Sequence, residues 1–573
     1  MTVHNADIVR FFDRLADLLE IEGVNPFRVR AYREAARIVG DLPHEVSAVV
    51  AAGRDLSELH GIGKDLAGKI EELVRTGRLM ALEEAEQRVP VGLLELLSLG
   101  PLGPKRVKTL YDQLGIKGLD DLAAAAKAGR IHDLRGFGPR MEARLLDALA
   151  HHVKEEPRPL LAAVEAVAED LVRRLGRARG VGKVIVAGSY RRRKETVGDL
   201  DILVTAAAAS DVMDRFVSFE EVAEILGHGR TRSTVRLRSG LQVDVRVVPE
   251  ESYGAALHYF TGSEAHNIRV RGMGVERGLK INEYGVFRGD AQIAGRTEEE
   301  VYAQVGLPYI EPELRENRGE LEAAQDGRLP GLITLADIRG DLHAHTTETD
   351  GRATLEEMAE GARAKGYKYL AITDHSQRVA MARGLDAKRL ARQIRAIDRL
   401  NGRLHGIVIL KGIEVDILED GSLDLPDAIL NELDLRICSV HYSLNLASEK
   451  QTERIIRAMD NRHCDIIGHP TGRLLNKRAG FDLDLERVMC AALERGCFLE
   501  LNSQPERLDL NDAHCKMAKD LGLKVSISTD AHSVANLDLM RFGIDQARRG
   551  WLEPADVLNT RSWPQLKKLL RRA

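Results

Sequence analysis

The period of apolar positions changes several times along the chain, and the changes divide it. The opening stretch, "MTVHNADIVRFFDRLADLLE", places its apolar residues on one face of an amphipathic helix. Helical periodicity rich in alanine and leucine, broken by Gly-rich turns, continues to about residue 155. From Val184 the alternation becomes that of strands, in "KVIVAGS", "DLDILVTA" and "TVRLRSGLQVDVRVVP". Dense proline, glycine and charge over residues 312 to 337 predict a connector. Beyond it, short apolar runs such as "KYLAITDH", "LRICSVHYS" and "KVSISTDAH" alternate with helical stretches. About seven such units predict a parallel β/α barrel, whose site would lie at the C-terminal ends of its strands.

Composition narrows this picture. A chain of 573 residues exceeds one hydrophobic core, so several domains are expected, and 44% hydrophobic with 30% charged residues reads as soluble and globular. The N-terminus lacks the apolar centre of a signal peptide and no apolar run reaches membrane-spanning length, so a cytoplasmic protein is expected. The five cysteines, from Cys438 to Cys515, have no C-x-x-C spacing and read as buried free thiols. A net charge of -5 gives no global basic field, so any contact with nucleic acid must be local.

Such local contacts are suggested by three turns, "LHGIGKDLAGKI", "LLSLGPLGPKRVKTL" and "LRGFGPRMEARLL". Each is a helix, a G-x-G-like turn and a second helix, an arrangement that lets N-terminal amides face a phosphate. One turn would be an ordinary helix corner. Three in one region point to helix-hairpin-helix units gripping the DNA backbone, with Gly61, Gly63, Lys64, Gly100, Gly103, Lys105 and Arg106 at the phosphate.

In "GSYRRRKETVGDLDILVTA", alternation puts Asp199 and Asp201 on one face of a strand, and "LQVDVRVVP" adds Asp244 on the polar face of another. Three neighbouring carboxylates repel unless cations neutralise them, and hard oxygen ligands suit Mg²⁺ or Mn²⁺ in phosphoryl transfer. Gly188 and Ser189 would offer donors to a triphosphate, and Arg192 a fork of charge-assisted bonds.

These segments, with "YFTGSEAHNIRVRGMGVERGLKINEYG", resemble family X DNA polymerases, the group containing DNA polymerase beta, over roughly residues 1 to 315. The resemblance implies a lyase-like helical domain over 1–82, fingers over 83–155, a nucleotidyltransferase palm over 156–250 and a thumb over 251–315. It further implies that Asp199 and Asp201 bridge two metals and that Asp244 holds the catalytic ion. Tyr259, Phe260 and Gly262 would line the sugar pocket, Asn267 would face the base, and Arg271 would touch the template. Two positions depart from DNA polymerase beta: Glu264 replaces an aspartate, and Gln242 an arginine beside the metals. Lys69 falls where that enzyme uses a Schiff-base lysine, but Asp65 replaces a phosphate-binding lysine one turn earlier, which favours an ordinary surface lysine.

Downstream, His343, His345, Asp350, His375, Glu414, His441, His469, Asp530 and His532 all fall where short strands end. Imidazole and carboxylate without thiolate suit Zn²⁺, Mn²⁺ or Fe²⁺ in a multinuclear site that hydrolyses phosphoesters. These motifs resemble the PHP (polymerase and histidinol phosphatase) domain, which implies a distorted (β/α)7 barrel with three divalent metals over residues 338–573, after a linker at 316–337. The expected fold is thus multidomain α/β: helical helix-hairpin-helix domains, an α+β palm and thumb, and the barrel.

A polymerase followed by a PHP domain is the arrangement of bacterial family X polymerases, where the barrel confers Mn²⁺-dependent 3′-5′ exonuclease and, in some members, abasic-site cleavage. The leading expectation is a monomeric repair enzyme that fills short gaps, taking gapped or primer-template DNA and dNTPs as partners, and no membrane. A barrel phosphatase for a small phosphoester and a DNA-binding scaffold with vestigial sites are the alternatives.

Overall fold

The chain divides into two units, residues 1–157 and 158–573, and helices build the described part of the first. The structure is a computed structural model and describes residues 3, 5–42, 45–51, 53–59, 61–90, 92–97, 99, 102–134, 136–150, 158–207 and 210–570. In the helix Asn5–Glu22, Ile8, Phe12, Leu15 and Leu19 recur at the spacing of one face and are buried. The helix Pro26–Asp41 starts where Asn25 accepts a hydrogen bond from the Phe27 amide, and Pro26 has no amide to leave unpaired. Gly63 and Gly103 stand at the N-caps of helices Lys64–Thr76 and Pro104–Leu114. Gly61 has a φ of +90°, and a Cβ there would come within 2.5 Å of Ile38 Cδ1, so both backbone and packing require glycine.

The second unit begins with the helix Leu161–Leu175, packed on a five-stranded sheet. Its strands are β1 (Val181–Val186), β2 (Asp199–Ala206), β3 (Val222–His228), β4 (Arg232–Leu237) and β5 (Gln242–Val248), in the order β1-β2-β5-β4-β3. Only β2 and β5 pair in parallel, and Asp201 stands opposite Asp244. Helices Tyr253–Thr261 and Glu264–Glu276 follow, then the antiparallel meander β6 (Lys280–Asn282), β7 (Gly285–Arg288) and β8 (Ala291–Ala294), and the helix Glu298–Gln304. The segment expected to be a connector carries the short helix Glu320–Gln325, whose Leu321 and Ala324 join the apolar core of this meander.

Glu298 welds the thumb-like part to the palm-like sheet. Its carboxylate accepts from Arg191 at 2.6 and 2.9 Å and from Arg315 at 2.5 Å, and the Arg315 side chain is fully buried. Burial works against the charge, but Arg315 and Arg191 outweigh it and hold the Glu298 carboxyl down at about 2 against an ordinary 4.5. A depressed carboxyl stabilises the fold fully above its ordinary value and loses that contribution as pH falls through 4.5 toward 2. Glu298→Gln is therefore expected to lower unfolding free energy by about 3 kcal/mol at pH 7. In equilibrium denaturation the gap between wild type and variant should close as pH falls from 4.5 toward 2; a gap independent of pH would contradict this account.

The remainder is a seven-stranded parallel sheet in sequential order: β9 (Gly340–Asp341), β10 (Tyr369–Ile372), β11 (Val408–Asp416), β12 (Leu435–Ser439), β13 (Ile466–Ile467), β14 (Phe498–Asn502) and β15 (Val525–Ser528). Just past the strand ends Ala344 pairs in parallel with Ala531, bringing β9 and β15 close to barrel closure. Side chains alternate as a barrel requires: along β10, Leu370 and Ile372 face the helix-covered core, Tyr369 and Ala371 the opposite cluster. Of the five cysteines, Cys438, Cys464, Cys497 and Cys515 are buried and Cys490 is half-buried, and all are free thiols. No helix among the described residues is long and apolar enough to cross a membrane.

Candidate active sites

In the palm-like sheet, alternation along β2 buries Leu200 and Ile202 while Asp199 stays exposed and Asp201 half-buried. Burial, then repulsion from Asp199 and Asp244, pushes the Asp201 carboxyl up to about 6. Such a raised carboxyl is an energetic cost that a bound cation would relieve. Gly188, at a φ of +64°, brings its backbone against this group: a Cβ there would lie 3.0 Å from Asp201 Oδ2.

Asp244 behaves differently. Burial disfavours its charge, but hydrogen bonds from Thr234 (2.6 Å), Arg232 (2.9 and 3.1 Å) and Gln242 (3.0 Å) hold its carboxyl below the ordinary value. The guanidinium absent at position 242 is thus supplied by Arg232 on the neighbouring strand β4. Sequence reading missed Arg232 and Thr234, because only the β4–β5 register, which sets Thr234 opposite Asp244, brings them there.

The predicted nucleotide contacts gather around this sheet. Ser189 Oγ is buried without a hydrogen-bond partner. Arg192 Nε donates to Glu316 at 3.0 Å and its Nη1 to the Thr261 carbonyl. Gly262, at a φ of +67°, lies against that guanidinium, where a Cβ would be 3.2 Å from Nη1. Tyr259 and Phe260 pack edge to face at 5.1 Å between ring centroids, and Arg246 lies over the Phe260 ring. Asn267 donates to the Tyr259 carbonyl at 2.7 Å while its Oδ1 is buried and unpartnered. Glu264 and Arg271 are exposed on the same helix as Asn267.

In the helical unit, Lys64, Lys105 and Arg106 are exposed in the first turns of their helices, and Gly100 lies outside the described residues. Lys69 Nζ forms an ion pair with Asp65 at 2.5 Å on its own helix, an engagement that does not favour a free nucleophile.

At the barrel mouth the predicted ligands converge. Ligand atoms of His345, Asp350, His375 and His532 lie within 4.8 Å of one another; so do those of His343, His345 and Asp530, and those of His375, Glu414 and His441. Shared His345 and His375 join the three groups into one centre. His469 belongs to none of them but sits 3.0 Å from Glu414 Oε1. Glu414 is central: Oε2 lies 2.7 Å from His375 Nδ1 and 3.6 Å from His343 Nε2, and Oε1 lies 3.3 Å from His441 Nε2.

Hydrogen bonding tests whether metals fit here. His343 Nε2, both nitrogens of His345, His375 Nδ1 and Glu414 Oε2 are buried without hydrogen-bond partners. Glu414 Oε2 and His375 Nδ1 approach to 2.7 Å yet lack the alignment of a hydrogen bond, as ligands aimed at a common ion would. Behind them, Glu500 accepts from His343 Nδ1 (2.7 Å) and Asp416 holds His441 Nδ1 (2.9 Å), leaving the opposite nitrogens turned inward. Burial disfavours charge on His375, but Glu414 and Asp350 outweigh it and hold the imidazole up at about 10; burial and the adjacent His375 push His345 down to about 4. The donor set fits divalent metal ions. Glu500 and Asp416 escaped the sequence reading because they sit within strands and reveal their role only by facing a ligand's far nitrogen.

Comparison with known proteins covers the whole chain. Family models match for a helix-hairpin-helix domain (residues 3–79), a SAM-like helix-hairpin-helix tandem (93–150), the DNA polymerase beta palm (155–238) and thumb (256–316), and the PHP domain (341–504). The chain is 39% identical over 575 residues, spanning 100% of both proteins, to "DNA polymerase/3'-5' exonuclease PolX" of Bacillus subtilis (strain 168). It is 27% identical to DNA polymerase lambda of Arabidopsis thaliana over 353 residues, 54% of this chain and 62% of the relative. A "probable phosphatase" of Thermoanaerobacter sp. (strain X514) is 33% identical over 213 residues, 35% of this chain and 81% of the relative.

Proposed function

The chain belongs to the family X DNA polymerases that carry a PHP domain, and on that premise we propose that it fills short gaps in DNA repair with its palm and trims 3′ ends with its barrel. The protein is a DNA polymerase with 3′-5′ exonuclease activity, and its helix-hairpin-helix domains bind DNA. The observation that supports the division of labour is the presence of two separate sets of candidate ligands: acids facing each other across β2 and β5, and imidazoles and carboxylates gathered past the barrel strands.

In this reading Asp199, Asp201 and Asp244 hold Mg²⁺ or Mn²⁺, which would neutralise charge on the attacking and leaving oxygens. Ser189 and Arg192 bind the dNTP triphosphate, Tyr259, Phe260 and Gly262 accept the sugar, and the unpartnered Asn267 Oδ1 meets the base. Asp244, kept ionised by Arg232, Thr234 and Gln242, promotes deprotonation of the primer 3′-hydroxyl. In the barrel, the nine ligands hold three divalent ions of the Zn²⁺, Mn²⁺ or Fe²⁺ class, in a centre suited to hydrolysis at a DNA 3′ end and at abasic sites. The pairing of Lys69 with Asp65 gives no support to a lyase step. The domain boundaries, the 316–337 segment excepted, and a monomeric state are part of the same proposal.

A single-nucleotide gap and an open template-primer distinguish the repair role: kcat/KM should be several-fold higher on the gap, and equal values would refute gap filling. The phosphatase relative, which matches 35% of this chain, favours a second reading, a barrel acting on small phosphomonoesters. Turnover of such esters exceeding that of DNA 3′ ends would establish it.

A further inference from the structure

Arg192, the guanidinium that the reading above assigns to the triphosphate, is held from outside the palm. Its Nε donates to Glu316 Oε1 at 3.0 Å and its Nη1 to the Thr261 carbonyl, which fixes the plane of the guanidinium and leaves Nη2 for a further acceptor. Glu316 Oε1 also accepts from Arg549 Nη1 at 3.0 Å, and the same nitrogen donates to the Arg192 backbone carbonyl at 2.7 Å. Arg549 therefore touches Arg192 twice, directly at its backbone and through Glu316 at its side chain.

Arg549 ends the barrel helix Met540–Arg549, and its side chain is only 2% exposed. Its second nitrogen, Nη2, donates to Asp512 at 2.7 Å, and Asp512, in the first turn of helix Asp512–Leu521, also accepts from Arg318 at 3.0 Å. One turn back on the Arg549 helix, Asp545 accepts from Arg193 at 2.8 Å. Burial opposes the charge on Glu316, yet Arg549 and Arg192 hold its carboxyl well below the ordinary range. The turn that follows Gly188 and Ser189 is thus anchored on two consecutive arginines by one face of a barrel helix.

We propose that Arg549 is a positioning residue for nucleotide binding: through Glu316 and the Arg192 carbonyl, the PHP barrel sets the Arg192 guanidinium for the triphosphate. The inference rests on the assignment of Arg192 to that role. It makes the barrel a structural part of the polymerase site as well as the seat of the exonuclease. Without Arg549, Glu316 Oε1 loses a charged donor, and so does the Arg192 carbonyl. The guanidinium then samples orientations that do not meet the nucleotide.

Single-nucleotide incorporation on gapped DNA by the full-length protein tests this. Arg549→Met is expected to raise KM for dNTP about tenfold with kcat within about twofold, while 3′-5′ degradation of single-stranded DNA is unchanged; Arg549→Lys should restore part of the affinity. An unchanged KM in Arg549→Met overturns the proposal. Arg192→Ala is the control: if it leaves KM unmoved, the triphosphate assignment itself fails, whereas a raised KM there and none in Arg549→Met sinks only the coupling. Should Arg549→Met lose synthesis and exonuclease together through misfolding, Glu316→Ala cuts the same relay from the other side. A several-fold rise in KM with exonuclease intact then supports the inference, and no rise overturns it.

Discussion

Replacing Asp199 and Asp201 together by alanine should abolish primer extension while 3′ trimming continues. Asp199 and Asp201 share one face of β2, Asp201 stands opposite Asp244 on β5, and Asp201 is raised to about 6 by burial and by both neighbours. Asp244 by itself is a weak anchor for a divalent ion, since it is already engaged by Arg232, Thr234 and Gln242. Bound metal contributes several kcal/mol of charge stabilisation in phosphoryl transfer, so the loss in synthesis should be about a thousandfold or more. Removing mutually repelling acids also relieves strain, and the variant should unfold at the same temperature as wild type or higher. The assay is one gapped, end-labelled duplex followed with and without dNTPs. Loss of extension and trimming in the same folded variant would refute independent sites.

The second large effect is expected at Glu414. Both of its oxygens lie among imidazoles, with His375, His343, His441 and His469 within 3.6 Å. A carboxylate so placed would offer both oxygens to divalent ions held by the surrounding imidazoles. Glu414→Ala should lower 3′-5′ exonuclease activity about a thousandfold or more and reduce the metal retained after gel filtration, leaving DNA synthesis unchanged. Elemental analysis checks the metal content directly. Because ions that bind only the folded state stabilise it by about 4 kcal/mol at a thousandfold excess over Kd, the variant should also lose the stabilisation that added Mn²⁺ gives wild type. Exonuclease activity retained within tenfold of wild type would remove Glu414 from the centre.

The same pair of sites shows where sequence reading ends. Asp199 and Asp201 are legible because alternation along a strand is a local property: residues two apart share a face whatever lies beyond. The convergence of the candidate barrel ligands is legible for a similar reason, since strand ends can be located from apolar runs and a parallel barrel gathers such ends at one mouth. Gly61 and the capping glycines are likewise decided by the φ and close approach their turns demand.

Tertiary structure alone decided the rest. Arg232 reaches Asp244 only because β4 and β5 pair in one register, so an arginine missing at position 242 is replaced from a different strand. Glu500 and Asp416 gain their roles from the ring nitrogen each happens to face. Arg192 and Arg549 stand far apart in sequence and meet over Glu316, in a contact no periodicity announces. Local pattern fixes which face a side chain takes, since backbone geometry repeats every few residues. Which partner waits on the far side of that face depends on how whole elements pack, and buried charges select the partners that can neutralise them.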